Sequence, residues 1–322
     1  MATIEVRELT KTFTQGKSRV DAVRGISLDV AGGELVALLG PNGAGKSTTL
    51  RMLTTLLRPT SGSARLGGHD VATAPELVRR SIGYVGQGNG AGHNQRVREE
   101  LITQGRCFGI GKRNSITRAD ELVGALDLGE LVDRRVGTLS GGQRRRLDIA
   151  LGIVHRPSIL FLDEPTTGMD PQSRANLWEH IGMLRRSTGA TIVLTTHYLD
   201  EADAMAERVV VIDHGTVIAD DSAATLKDTL AGDRVRLGAA ATDLAQIAGM
   251  AEVFTETRGV EVLGDQGLVE IVATGAGHLL PRLIVEAQRR GVEVTSATVS
   301  RPTLDDVFLS LTGRSLREHA AA

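Results

Sequence analysis

The chain has few aromatic residues: two tyrosines, five phenylalanines and one tryptophan, 2% of its length. That is too few planar rings for a base-stacking nucleic-acid surface. A single cysteine, Cys107, excludes an intramolecular disulfide framework and agrees with a reducing compartment; it is expected to be a buried structural thiol. Neither charge dominates. With 37 basic against 39 acidic residues and a formal charge of −2, no global attraction to a polyanion is available, and any polyanion must be held by local groups. Long apolar runs are missing as well. Leu35 to Leu39 and Val209 to Ile212 fall far short of the ~18 residues of a membrane-spanning helix, so a membrane role would need another chain to span it. Met1-Ala2-Thr3-Ile4-Glu5 opens without a basic stretch and apolar core, and no secretory signal is expected.

What is present is 322 residues with 41% hydrophobic and 24% charged content, enough for one large α/β domain and a smaller one. Apolar runs at Leu35 to Leu39, Ile159 to Leu162, Ile192 to Thr196 and Val209 to Ile212 alternate with helical stretches, which predicts a largely parallel sheet wrapped by helices. Ile4, Val6 and Leu9, then Val23, Ile26, Leu28 and Val30, alternate like antiparallel strands of a flanking sheet. Residues from about 89 to 156 lack strand rhythm and read as an inserted helical subdomain. The pattern changes near Asp220 to Lys227. We therefore expect one domain over 1–224 and a small α+β domain over 225–322. The second should hold strands near Arg234 to Leu237, Val260 to Leu263, Leu268 to Ala273 and Val292 to Val299, with a principal helix over Leu279 to Arg290. A last helix is expected from Pro302, with the proline in its first turn.

Gly40-Pro41-Asn42-Gly43-Ala44-Gly45-Lys46-Ser47 fits the phosphate-loop pattern and follows the apolar strand Glu34 to Leu39, the context the pattern requires. Its glycines let successive backbone N–H groups face phosphate oxygens, and the helix that follows offers the positive end of its dipole. Lys46 would meet the β and γ phosphates, Ser47 would ligate Mg²⁺, and Thr48 would donate to a phosphate oxygen. Ile159-Leu160-Phe161-Leu162 leads into Asp163-Glu164-Pro165, two acids at the carboxyl end of a buried strand, where ligands of open α/β sheets gather. Alone, such a pair reads as a solvated loop start. Beside a phosphate loop it reads as machinery, and since adjacent strand residues face opposite ways, Asp163 suits the Mg²⁺ shell and Glu164 suits polarising the attacking water.

Leu139-Ser140-Gly141-Gly142-Gln143 precedes a helical stretch about twenty residues before the acidic pair. A serine and two glycines ahead of a helix make a second anion site, with Ser140 as donor and Gly142 allowing close approach. Here the sequence resembles the ABC ATPase family, whose signature motif is this pentapeptide, in the order the family requires. The resemblance implies a P-loop NTPase core that binds ATP with Mg²⁺ and hydrolyses it. It also implies a head-to-tail homodimer in which the signature of one copy, Ser140, Gly141, Gly142 and Gln143, closes over the γ-phosphate held by the other. By the same resemblance Phe13 stacks on adenine, Gln87 touches Mg²⁺ and the attacking water, Asp170 crosses the dimer interface, and His197 contacts the γ-phosphate. Met169 stands where leucine is commoner, and the glycine-rich Gly88-Asn89-Gly90-Ala91-Gly92 after Gln87 is unusual. The basic triplet Arg144-Arg145-Arg146 reads as surface and ion-pair material rather than a nucleic-acid site; no nucleic-acid partner is expected.

The ending Arg301-Pro302-Thr303-Leu304-Asp305-Asp306-Val307-Phe308-Leu309-Ser310-Leu311-Thr312-Gly313 is similar to that of the daunorubicin-resistance type of drug-export ATPase. That likeness implies a drug or lipid exporter with a separately encoded transmembrane permease, placing the chain at the cytoplasmic face of a membrane. The region after Gln87, including Arg98-Glu99-Glu100-Leu101, would pass motion to the permease. Importer ATPases with added C-terminal domains and soluble ABC ATPases remain alternatives. Against the soluble class, the chain shows neither heptads nor a second phosphate loop.

Overall fold

The computed structural model describes residues 2–16 and 18–313. The chain divides into two compact units, Met1–Asp220 and Asp221–Ala322; residues 314–322 of the segment expected to form the second domain lie outside the described residues.

The first unit begins with β1 (Ala2–Gln15) and β2 (Ser18–Ala31), paired antiparallel. Ile4, Val6 and Leu9 of one and Val23, Ile26, Leu28 and Val30 of the other are buried between exposed neighbours, the one-sided alternation of a sheet that faces water on its other side. Then come β3 (Leu35–Leu39), α1 (Lys46–Leu53), β4 (Ser61–Leu66), β5 (His69–Asp70), α2 (Pro75–Ser81) and β6 (Ile82–Val85). The helical segment follows as α3 (Val97–Cys107), α4 (Lys112–Ala125) and α5 (Gly141–Gly152). The unit closes with β7 (Ile159–Asp163), α6 (Pro171–Thr188), β8 (Thr191–Thr196), α7 (Leu199–Met205), β9 (Arg208–Asp213) and β10 (Thr216–Asp221).

Strands β2-β1-β4-β5 form one sheet and β10-β9-β3-β8-β7-β6 a second. In the second sheet β9, β3, β8, β7 and β6 run parallel in sequence. Its strands β3, β7 and β8 are buried at every residue, as central parallel strands covered on both faces must be. This order brings the ends of β3, β7 and β8 side by side, and three loops with chemistry leave from there.

In the second unit, α8 (Ala223–Leu226) precedes β11 (Asp233–Gly238), α9 (Leu244–Ala251), β12 (Thr257–Leu263), β13 (Leu268–Ala273), α10 (Ala276–Arg289), β14 (Ser296–Ser300) and α11 (Leu304–Thr312). The sheet order is β12-β13-β11-β14, antiparallel throughout. Val235, Leu237, Val269 and Ile271 pack against Leu244, Ile247, Leu279 and Leu283 to make its core. The strand expected from Val292 begins only at Ser296, because Val292 donates back to the Ala287 carbonyl and ends the α10 turn instead. The last helix starts at Leu304, with Thr303 as its cap in a reciprocal pair with Asp306. Pro302 therefore precedes the cap rather than occupying the first turn; a side chain that accepts from Asp306 N defines the helix start more strongly than a preset φ.

The expected buried thiol is overturned. Cys107 is exposed, since α3 buries Val97, Leu101 and Gly105 at a spacing of four and a residue two positions past Gly105 falls on the far side of the helix.

Candidate functional site

The loop between β3 and α1 wraps a cavity of about 620 Å³ lined by Ala22, Asn42, Gly43, Ala44, Gly45, Lys46, Ser47, Thr48, Gln87, Glu164, Thr167 and His197. Two glycines are sterically required there. A Cβ on Gly40 would stand 2.1 Å from the Ile212 carbonyl oxygen, and one on Gly45, at φ 103°, would stand 2.6 Å from that of Ala22; no side chain fits either position. Lys46 opens α1 and turns back on its own loop, donating from Nζ to the carbonyls of Gly40 at 2.6 Å and Pro41 at 3.0 Å. Burial pushes its ammonium pKa down, with Glu164 and Asp163 opposing.

Asp163 and Glu164 sit in different surroundings. Asp163 ends β7, fully buried, and its Oδ1 accepts from Ser47 Oγ at 2.8 Å and Thr195 Oγ1 at 2.7 Å. Tyr84 OH donates to its Oδ2 at 3.4 Å. Glu164 lies past the strand with φ 45°, a left-handed conformation costly for a non-glycine residue. The separation of the two acids therefore comes from a turn as well as from strand alternation. Glu164 N donates to the same Thr195 Oγ1 at 2.9 Å. The Glu164 side chain accepts from Gln87 Nε2 at 3.0 Å and Thr167 Oγ1 at 3.1 Å, both on Oε2. His197 Nδ1 stands 3.4 Å from that oxygen, the long end of hydrogen-bond range. The His197 ring holds the Glu164 carboxyl below the usual carboxylate range, against the opposing effect of burial, with Lys46 and Thr167 acting in the same sense as the ring.

Thus Asn42, Gly43, Ala44, Gly45, Lys46, Ser47, Thr48, Gln87, Glu164 and His197 share one cavity, with Asp163 beneath Ser47. Phe13, Ser140, Gly141, Gly142, Gln143 and Asp170 do not line it. Phe13 is 42% exposed on β1, opposite Val20, with Lys11 Nζ 5.3 Å from its ring centre; Ala22, two residues along β2 from Val20, does line the cavity. Ser140 caps α5: its Oγ accepts from Gln143 N, and Gln143 Oε1 accepts from Ser140 N at 3.0 Å. Gly142 abuts Met169 and Ser173, where a Cβ would approach Ser173 to 3.2 Å. Asp170 caps α6 by accepting from Ser173 N at 2.9 Å, and its contacts with Ser173 lower its carboxyl pKa.

The structure also places residues that the motifs do not announce. Thr167 and Thr195 touch the acidic pair directly, and Tyr84 reaches Asp163. The basic triplet is not surface material: Arg144 and Arg145 are each only 8% exposed. Arg144 donates to the Ala91 carbonyl at 2.9 Å, Arg145 bonds three backbone carbonyls, and Arg146 donates to the Leu126 and Asp127 carbonyls and ion-pairs with Asp127. Guanidinium forks satisfied by backbone oxygens can be buried at tolerable cost.

Residues 23–167 match the ABC transporter family, and residues 222–312 match the C-terminal domain of DrrA1-3-like ATP-binding proteins. Over 311 residues the chain is 42% identical to the daunorubicin/doxorubicin resistance ATP-binding protein DrrA of Streptomyces peucetius, covering 96% of this chain and 92% of that protein. It is 33% identical to the linearmycin resistance ATP-binding protein LnrL of Bacillus subtilis, covering 98% and 100%. Among solved structures, the dimeric post-hydrolysis state of the ATP-binding cassette MJ0796 bound to ADP and Pi is similar at a TM-score of 0.63 and 25% identity, over 68% of this chain and 98% of that one. This chain belongs to the ABC transporter family, as an ATP-binding, ATP-hydrolysing protein of the DrrA type.

Proposed function

We propose that this chain powers export of a drug-like or lipid-like compound through a separately encoded permease, hydrolysing ATP at two sites shared between two head-to-tail copies. The observation that carries this reading is the division of the site: the phosphate-loop cavity contains Lys46, Gln87, Glu164 and His197 but nothing of Ser140 to Gln143. A second copy would bring Ser140, with its O–H still available to donate, and the start of α5 over the bound nucleotide. A solved bacterial ABC transporter cassette similar to this chain is dimeric. Export is favoured by the DrrA-like second unit and by relatives whose names include drug resistance and Nod factor export. Among the described residues no helix is long and apolar enough to cross a membrane, so the permease is assigned to another chain.

On this reading Lys46 exchanges the carbonyls of Gly40 and Pro41 for the β and γ phosphates, and an incoming polyanion offsets the burial that depresses its pKa. Ser47 Oγ and Asp163 Oδ1 are hard oxygen donors 2.8 Å apart, the chemistry Mg²⁺ selects. No group of three or more His, Cys, Asp or Glu side chains that could hold a metal occurs among the described residues, so phosphates and water would complete the shell. Bound there, Mg²⁺ would neutralise phosphate charge. Glu164, kept ionised by His197, takes the proton of the attacking water, and Gln87 and Thr167 fix its orientation. Phe13 offers an exposed face for the adenine. Asp170, capping the helix beside Gly142, would meet the second copy. Arg98 and Glu99, in the first turn of α3, would face the permease; Leu101 is buried and would not. Glu100 ties this turn to the loop after Gln87 by accepting from Gly92 N at 2.8 Å.

The test measures ATP hydrolysis and compound efflux in membranes carrying this chain and its permease, against Glu164→Gln. The variant is expected to bind ATP, lose turnover by at least about a hundredfold and abolish efflux. Crosslinks from Arg98 should reach the permease. Undiminished turnover in the variant, or efflux independent of ATP, would refute the proposal.

A further inference from the structure

We infer that Arg145 is a positioning residue for hydrolysis: it ties the helix that begins at Ser140 to the backbone flanking both Gln87 and Glu164, so that movement of that helix sets the hydrolytic pair of its own chain. This rests on the ATPase reading above and adds a residue that reading does not use.

The geometry is a three-way bridge. Arg145 Nη1 donates to the Gly86 carbonyl at 2.6 Å, Nε to that of Pro165 at 2.8 Å and Nη2 to that of Asp163 at 3.1 Å. Gly86 immediately precedes Gln87, and Asp163 and Pro165 flank Glu164. One guanidinium thus holds the two segments whose side chains meet at 3.0 Å, Gln87 Nε2 to Glu164 Oε2. The far end of the Gln87 loop is tied to the same helix. Asp148, 5% exposed and one turn along, accepts on Oδ1 from Gly90 N and Ala91 N, each at 3.1 Å, and Arg144 donates to the Ala91 carbonyl. Glycines at 88, 90 and 92 have no side chains with which to hold this loop, so its backbone is held from neighbouring helices: residues 90 and 91 by α5, and Gly92 by Glu100 of α3.

Burial makes the arrangement expensive as mere packing. Arg145 is 8% exposed, and a buried cation is generally no more stabilising than an apolar residue of similar volume. What the planar fork adds is simultaneous reach to several fixed acceptors. The reciprocal bonds between Ser140 and Gln143 fix the first turn of α5, and Arg145 lies about one and a half turns from Ser140, so contact at Ser140 is carried to Arg145. The start of α5 and the Gln87–Glu164 pair then move as one body.

The experiment is a double-mutant cycle on kcat with the full-length chain. Arg145→Lys keeps the charge but cannot span three carbonyls; Arg145→Met fills the space without a buried charge or the fork, and circular dichroism with nucleotide binding separates lost folding from lost positioning. Each is made alone and on Gln87→Ala, with KM, nucleotide binding and circular dichroism recorded. Each single variant should lower kcat at least about tenfold while KM stays within about threefold. On Gln87→Ala the same change should cost less than about threefold more, because the pair it positions is already broken. Unchanged kcat, losses that multiply independently of Gln87, or turnover falling only in step with nucleotide binding would each overturn the inference. Absent wild-type turnover, or turnover surviving Glu164→Gln, would instead sink the ATPase reading and is seen before any Arg145 variant is compared.

Discussion

Thr195 is the most economical place to test whether the acidic pair is held as described. Its Oγ1 donates to Asp163 Oδ1 at 2.7 Å and accepts from Glu164 N at 2.9 Å, so Thr195→Val removes both bonds at nearly constant shape. Asp163 keeps Ser47 on the same oxygen, which puts the lost charge-assisted bond at the low end, about 1.5 kcal/mol. The Glu164 N–H is left buried without a partner, at about 1–3 kcal/mol, in a residue already held at φ 45°. The expected destabilisation is about 3 kcal/mol. Thr195→Ser keeps both bonds and loses one buried methyl, about 1 kcal/mol. With a urea slope of about 2 kcal/mol per M, the two variants should differ in midpoint by about 1 M. Trp178 is the single tryptophan, 6% exposed and in the first unit, so its fluorescence reports that unit alone. Midpoints for Val and Ser within about 0.3 M of each other would refute the double role of the hydroxyl.

His197→Ala removes the largest influence lowering the Glu164 pKa. A depressed carboxyl pKa contributes stability that is present above the ordinary glutamate value and lost as pH falls through the folded one, so the variant's acid-unfolding midpoint should rise; an unmoved midpoint in a pH titration counts against the contact. Lys46→Met should abolish nucleotide binding, measured with a fluorescent ATP analogue, because the cation facing the phosphates is gone. Since burial lowers the Lys46 pKa, its charge is a penalty at neutral pH that is relieved as pH rises toward the ordinary lysine value; nucleotide-free Lys46→Met should be at least as stable as wild type at pH 7, and a marked loss in urea would contradict this.

The phosphate loop, the acidic pair and the capped start of α5 were legible because each is a contiguous string whose chemistry and local geometry come from neighbours in the chain. Four of the five parallel strands were legible for a related reason, since burial on both faces demands unbroken apolar runs; Ile82-Gly83-Tyr84-Val85, broken by a glycine and a tyrosine, was not read as the fifth. Thr195 was not legible. It sits beside Asp163 because β7 and β8 pair in the register that sets Asp163 opposite Thr195, and no feature of Ile192-Val193-Leu194-Thr195-Thr196 carries that register. Thr167 lies three residues after Glu164 and was missed for a different reason: its bond needs the left-handed turn at Glu164, which side-chain periodicity does not reveal. The helix α9 shows a third kind of miss, an eight-residue element too short for its period to stand out among strands.

The arginine triplet is the case where a sound general rule failed for a definable cause. Consecutive arginines at a helix start read as solvated because a helix normally presents one face to water. In α5, however, Arg144, Arg145, Leu147, Asp148, Ile149, Ala150 and Leu151 are all buried, so the helix has almost no wet face for them to occupy. The groups that make burial tolerable are carbonyls of Gly86, Ala91, Asp163 and Pro165, which every sequence possesses and none advertises. One clue was available: a glycine-rich loop at 88–92 beside two catalytic-looking segments leaves many backbone groups to satisfy, and a nearby run of fork-shaped donors is the cheapest way to satisfy them. Charge runs adjacent in sequence to a nucleotide-binding motif should therefore be weighed as candidate backbone clamps before they are assigned to solvent.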